Sequence, residues 1–251
     1  VVGLGPIGAG ALRAASASGC RAIGIGSPEP AVFADHDGPF ASHYDSGRVT
    51  RHVDAMFEWA ELARRAIADY AAIEEGSGIR FHRPVGVVYA TSDPREIDAV
   101  DAVAARLTAL RIPVERRATI DDARVHVDPN AVCFVEGAPA GHVDPRRMIT
   151  AQLACAEADG ATVRRSTVTH VEAAEGGWRL HLDGGDPVNA ERVVIAGGPH
   201  TAEIAGLPPL PPMTVRAEVV VTGVLDADEQ ARLAGLPSVL APVQHDRFLD
   251  W

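Results

Sequence analysis

The feature that most constrains the chain lies at its start. Gly3-Leu4-Gly5-Pro6-Ile7-Gly8 is a G-x-G-x-x-G run, preceded by Val1-Val2 and followed by a helix-forming stretch to Ser18. Gly19 stops that stretch, and Arg21 to Ile25 reads as a second strand. Each motif glycine answers a different demand. Gly3 permits the tight turn, Gly5 lets the backbone approach a diphosphate, and Gly8 lets the helix pack close to the strand. The amides opening the helix, at the positive end of its dipole, then face any anion held there. Strand, glycine turn, helix, strand is the βαβ unit of a nucleotide-binding sheet, so the fold class is α/β.

Composition narrows the partners. At 251 residues and 47% apolar content, the chain can bury one large core or two modest ones. It has no run of 18 apolar residues, which argues against a membrane span. The net charge of −11 disfavours nucleic acid, whose phosphates need clustered basic residues. The basic residues are all Arg, so a Schiff-base or P-loop lysine is excluded within this sequence. Cys20, Cys133 and Cys155 form no C-x-x-C and read as reduced core thiols of a cytoplasmic protein. His82, His126, His142, His170, His181, His200 and His245 show no i, i+4 pairing and no H-E-x-x-H, so no metal is expected. Ser and His occur without a G-x-S-x-G elbow. Only Val1-Val2 stand where a first strand of about five or six residues is usual, and the sequence stops at Phe248-Leu-Asp-Trp251. It is expected to be part of a longer protein.

The pattern along the chain predicts two domains. Phe33 to Arg51 is polar and irregular, as binding loops often are. Helices are predicted over Met56–Ile73, from Pro94 to about Leu110 with Asp93 as cap, and over Pro145–Ala158 with Asp144 as cap. Thr119–Ala123 reads as a short helix start, and Gly141–Pro145 as a turn. Strands are predicted within Phe81–Ala90, over Ala131–Glu136, Thr167–Val171 and Trp178–Leu182, and as a buried run over Glu191–Ala196. Pro208 to Pro212 is a stiff linker, and Val215–Val224 beyond it reads as a strand. The order predicts a nucleotide-binding domain from residues 1–80 and 140–207, and a second domain from 81–139 and 213–251.

Four segments occur together in one order: the glycine turn, Phe40-Ala-Ser-His-Tyr-Asp-Ser-Gly-Arg-Val-Thr-Arg51, Gly141-His-Val-Asp-Pro145 and Val193-Val-Ile-Ala-Gly-Gly198. In this the chain resembles the D-amino-acid-oxidase-like flavoproteins, nearest to the monomeric sarcosine oxidase and N-methyltryptophan oxidase branch. The resemblance implies a Rossmann-like FAD-binding domain with an inserted, mostly antiparallel α+β substrate domain, incomplete at both ends. It implies FAD as cofactor, with Gly3, Gly5, Pro6, Ile7 and Gly8 at the diphosphate. It puts Val168 at the adenine, and Ser42, His43 and Arg48 along the flavin. Gly197 and Gly198 follow a strand end, where open α/β sheets bind ligands. His43, Arg48 and Arg51 are the implied catalytic residues; an arginine could stabilise reduced flavin or grip a substrate carboxylate.

The implied reaction is hydride transfer from the C–H of a small amine or amino acid to flavin N5. Two departures stand out. The acidic residue that commonly ends the second strand is absent, and Ser27 or Glu29 would have to bond the ribose. The branch's oxygen-activating lysine has no counterpart, and its FAD-tethering cysteine would fall beyond Trp251. The alternatives are an NAD(P)-dependent dehydrogenase and a non-catalytic nucleotide-binding module.

Overall fold

A computed structural model describes residues 1–30, 36, 41–215 and 220–241. The chain forms two compact units from interleaved segments: residues 1–46, 73–81 and 145–220 in the first, and 47–72, 82–144 and 221–251 in the second.

In the first unit, β1 (Ile23–Gly26) pairs in parallel with β8 (Thr162–Arg165), Ile23 opposite Thr162 and Gly26 opposite Arg165. Val2 forms parallel bridges to Ile25 on one side and Ile195 on the other. The lateral order is therefore β8, β1, Val2, Ile195. Numbered by position in the chain that is 3-2-1-4, the order of dinucleotide-binding sheets. Side chains alternate across this sheet. Val1 turns towards α1 (Pro6–Ala17) and α4 (Pro145–Ala158), packing on a cluster of Leu4, Ala9, Leu12, Ile149 and Leu153. Val2 and Ile25 turn the other way. They pack on Val168, Val171 and Leu180 of the antiparallel meander β9 (Val168–Ala174), β10 (Gly177–Leu182) and β11 (Val188–Ala190). Leu12 is fully buried, and full burial of one such side chain is worth about 1.5–3 kcal/mol. Small residues make the close helix contact possible: besides Leu12, the buried positions of α1 are Gly8, Ala9 and Ser16.

The second unit holds two sheets. One has the order β12 (Ser238–Leu240), β4 (Val87–Thr91), β6 (Val132–Glu136), β5 (Val114–Arg117). β4 is buried throughout because it is covered on both faces. Tyr89 packs with Phe134, Val53 and Val100 on one side, and Val88 and Ala90 pack with Cys133 and Ala131 on the other. Val100 belongs to α3 (Pro94–Ala109), whose cap is the Asp93 carboxylate accepting from Arg95 N at 2.9 Å. Such a cap contributes about 1 kcal/mol. The other sheet is antiparallel, with β7 (Gly141–Val143) between β2 (Arg48–Thr50) and β3 (His82–Arg83). α2 (Phe57–Ser77) follows β2, and its Tyr70 hydroxyl bonds Thr50 Oγ1 at 3.1 Å.

Several expectations need correction. Glu191–Ala196 is not a ladder strand. Only Ile195 forms a bridge, and Val194 is half exposed. Val2 supplies a single rung, through Val2 N to Val194 O and Ala196 N to Val2 O, before Gly3 turns away at φ +88°. Gly141–Val143 is a central strand and not a turn; a side chain at Gly141 would strike the Arg83 carbonyl and Val85 nitrogen of the neighbouring segment. Residues 119–123 form no helix. The Asp122 carboxylate takes the Arg124 N–H at 3.0 Å and its guanidinium at 2.7 Å, so local side-chain bonding replaces a helical turn. Residues 81–90 divide between two sheets, with Gly86 at φ +83° between them. In the span Val215–Val224, residues 216–219 and, further on, His245–Phe248 lie outside the described residues; the described part carries no strand, and Val221 and Val224 are exposed. α5 (Ala227–Leu233) and β12 were not anticipated. Cys20 is exposed, so only Cys133 is a fully buried core thiol, while the Cys155 thiol reaches the Ile73 carbonyl at 3.6 Å. Among the described residues, no helix is long and apolar enough to cross a membrane.

Candidate cofactor site

A cavity of about 580 Å³ opens in the first unit, at the carboxyl end of the parallel strands. That is where open α/β sheets bind ligands, and the volume falls within the range of small-molecule sites. Gly3, Leu4, Gly5, Pro6 and Ile7 form one wall, Gly26 and Ser27 continue it, and Gly197 and Gly198 face it from beyond Ile195. Ser42, His43 and Val168 complete the set. The fold thus gathers residues from positions 3 to 198 of the chain around one space.

The three motif glycines separate cleanly by their surroundings. A Cβ on Gly3 would strike the Ala196 carbonyl, and its positive φ strains any other residue. A Cβ on Gly8 would strike the Gly3 carbonyl and stand 3.3 Å from the Ala196 side chain. Both glycines are demanded by packing, and Gly8 lies behind the wall, away from the cavity lining. Gly5 is different. Its φ of −72° and ψ of −170° suit any residue, and a Cβ there would meet only the His43 ring, at 3.7 Å. Gly5 is also the N-cap of α1, and no side chain caps that end. The first turn carries no acidic residue. Its N–H groups lack intrahelical acceptors, and the positive end of the dipole is directed to the cavity side. Ile7 is 81% exposed there and supplies apolar surface.

The polar groups around the cavity are partly engaged. His43 is buried, with its ring edge-on to Tyr44 at 5.0 Å between centroids. Desolvation pushes the Tyr44 phenol above its usual pKa. Ser27 Oγ and Thr167 Oγ1 share a hydrogen bond of 2.9 Å. Glu29 is ion-paired with Arg146. Arg165, at the end of β8 and in register with Gly26, also lines the cavity and is exposed. Sequence reasoning sought a charged group near residue 26 along the chain and missed Arg165, because strand pairing brings it there from 139 positions away. Tyr44, Thr150 and His200 were missed as lining groups too.

Arg48 and Arg51 belong to the second unit and are not among these lining residues. Arg48 is exposed on β2, opposite Val143. Arg51 Nη2 bonds Asp54 Oδ2 at 2.7 Å, and the guanidinium stands over the Tyr89 ring at 5.4 Å from its centroid. Its Nε is buried with no hydrogen-bond partner among the described residues. Just beyond it, Glu136 is 2% exposed and takes three donors: His52 N and Val53 N, both at 2.9 Å, and the His52 ring.

Comparison with known proteins agrees with this architecture. The family described as FAD dependent oxidoreductase, DAO, matches residues 1–249. No curated protein matches the chain. Among solved structures it is similar to NikD, an unusual amino acid oxidase essential for nikkomycin biosynthesis, at 23% identity and a TM-score of 0.60, over 81% of this chain and 52% of that one. Glycine oxidase from Geobacillus kaustophilus matches at 19% identity and a TM-score of 0.61, over 80% of this chain and 55% of that one. Fructosyl amine: oxygen oxidoreductase (Amadoriase I) from Aspergillus fumigatus matches at 14% identity and a TM-score of 0.59, over 82% and 49%. The chain thus spans about half the length of the structures it matches. These likenesses are likenesses of fold, whereas the family match covers nearly the whole sequence: the chain belongs to the DAO family of FAD-dependent oxidoreductases.

Proposed function

We propose that the first unit holds FAD along its cavity, and that the protein oxidises the C–H bond beside nitrogen in a small amine or amino acid. One observation carries the cofactor assignment: Gly5 is a glycine that the protein's own packing does not require. It sits at an uncapped helix start on a cavity wall. A site where a diphosphate approaches the backbone explains that choice, because any Cβ would fill the space the phosphates need.

The other roles follow from chemistry. Gly3 and Gly8 fix the turn, and Pro6 and Ile7 present the helix end and an apolar surface. Arg165 adds a cation that favours an anionic ligand. Glu29 is committed to Arg146. Ser27, paired with Thr167, is therefore the better candidate for the ribose hydroxyls. Val168 and the Gly197-Gly198 turn line the same space, and Ser42 and His43 are the candidates to face the ring system. In the second unit, the buried Nε–H of Arg51 has no partner among the described residues, and its Nη2 is tied to Asp54. A buried donor without a partner is uncommon and costs free energy; a substrate carboxylate would satisfy it. Arg48 is the second cation of that segment. On this reading the first unit serves the cofactor, and the second, with residues 81–139 and the segment after 213, serves the substrate. When bound, the flavin supplies a two-electron acceptor for hydride from the substrate C–H.

The test is FAD titration of the protein, followed by quenching of flavin fluorescence, beside Gly5→Val. The variant should keep its unfolding midpoint and lose about tenfold or more in affinity, a change of about 1.4 kcal/mol. Equal affinity in variant and parent, or no binding by either, would overturn the cofactor assignment. Release of peroxide or reduction of a dye across a panel of N-methyl and D-amino acids tests the substrate class separately.

A further inference from the structure

The outward face of the β9–β10 hairpin carries side chains that the cofactor cavity does not use. His170 on β9 and His181 on β10 are register partners in the antiparallel pair. Their rings stack with centroids 5.3 Å apart and planes 17° from parallel. Glu172 lies two residues along β9, so strand alternation sets it on the same face as His170. His181 Nε2 is 2.9 Å from Glu172 Oε1. One ligating atom from each of the three residues lies within 4.8 Å of the other two.

Neighbouring residues explain why these three face outward together. Val171 and Leu180, adjacent to them in sequence, are paired across the strands and buried in the core. A bulge between His181 and Leu182 gives β9 one extra residue, Thr169, which lets Val168 turn inward as well. The backbone positions of the trio are thereby fixed by packing on the opposite face. A simple histidine–carboxylate pair needs one imidazole, and His181 already supplies it. The ring of His170 makes no hydrogen bond among the described residues. It packs beside Gly206, where a Cβ would come within 2.9 Å of its Nε2. The hairpin therefore holds a second imidazole with open donor and acceptor capacity next to the first.

We propose that His170, Glu172 and His181 bind a divalent transition-metal ion of the zinc, nickel and copper class. Imidazole nitrogens suit those ions, whereas magnesium and calcium take oxygen ligands. Around a tetrahedral ion with bonds near 2.0–2.1 Å, ligating atoms stand about 3.3 Å apart. All three side chains are partly exposed, so rotation about their own bonds closes the remaining gap without moving the strands. Water would complete the shell, and the ion would staple β9 to β10.

Zinc titration of the chelator-treated full chain by calorimetry tests this, with copper(II) paramagnetic resonance as a second measurement. One zinc ion should bind per chain, and the copper spectrum should show two nitrogen donors. His170→Ala and His181→Ala should each weaken zinc by more than the ~10–100-fold typical of losing an outer-shell partner. Glu172→Gln, which keeps the shape, should weaken it less. Absence of zinc binding by the parent chain, zinc affinity unchanged in the double histidine variant, or a copper spectrum without nitrogen donors from these residues would each overturn the site. Circular dichroism of the variants confirms that the hairpin is still folded.

Discussion

The glycine turn of the first unit and the Arg48–Val53 segment of the second are built on opposite principles. The turn works through what it lacks. Gly3 and Gly8 leave out side chains that would strike backbone, and Gly5 leaves out one that would strike nothing in the protein. Its polar groups are main-chain amides, placed by the helix itself. The second segment works through side chains that depend on remote partners. Glu136, 84 positions from His52 in sequence, holds the backbone of residues 52 and 53 with one carboxylate oxygen and the His52 ring with the other. Arg51 next to it is half satisfied, by Asp54. Local backbone chemistry leaves a signature in local sequence. A clamp made from two distant side chains leaves none.

The contrast can be broken by substitution. The largest effect is expected at Glu136. Glu136→Leu keeps the volume roughly but strips three buried donors of their acceptor, and should cost about 3 kcal/mol or more. Denaturant unfolding would measure it; a loss under about 1 kcal/mol would mean that the carboxylate is not holding the segment. Next come Gly3→Ala and Gly8→Ala, each forcing a methyl group into backbone. Each should lose about 1–3 kcal/mol, whereas Gly5→Ala should stay within about 0.5 kcal/mol of the parent. Equal losses at all three positions would remove the distinction on which the cofactor assignment rests.

The smallest effect is one of pH. His142 on β7 is held below its usual pKa of about 6.5 by desolvation, with Arg83 and His82 adding to it. The folded state therefore favours the neutral ring, and the unfolded chain binds the extra proton. Stability is full above about pH 6.5 and falls as the pH drops towards the folded value. His142→Gln should flatten that part of a stability–pH curve; an unchanged slope would mean another group is responsible.

Much of the first unit is legible in the sequence. The glycine spacing, Pro6 after Gly5 and the stop at Gly19 give the turn, the helix and its end, because each is a local steric requirement. Asp93-Pro94 marks the start of α3 for the same reason. The failures share a cause as well. Glu191–Ala196 is apolar enough for a strand, but only Ile195 forms a bridge, to Val2, next to the point where Gly3 turns the backbone away. Gly141–Val143 is too short to show alternation, yet two neighbours make it a central strand. The histidines show no helical spacing, whereas His170 and His181 meet through antiparallel register and Glu172 joins them at a spacing of two.

The sequence alone therefore determined the βαβ opening, the glycine turn and the main helices, because these depend on φ, ψ and side-chain volume within a few residues. Only the tertiary structure decided that Arg165 stands beside Gly26, that Glu136 clamps residues 52 and 53, and that three ligating side chains converge on one hairpin face. Those depend on strand register and on which distant segments pack together. Register is set by summed burial over a whole sheet and not by any one residue.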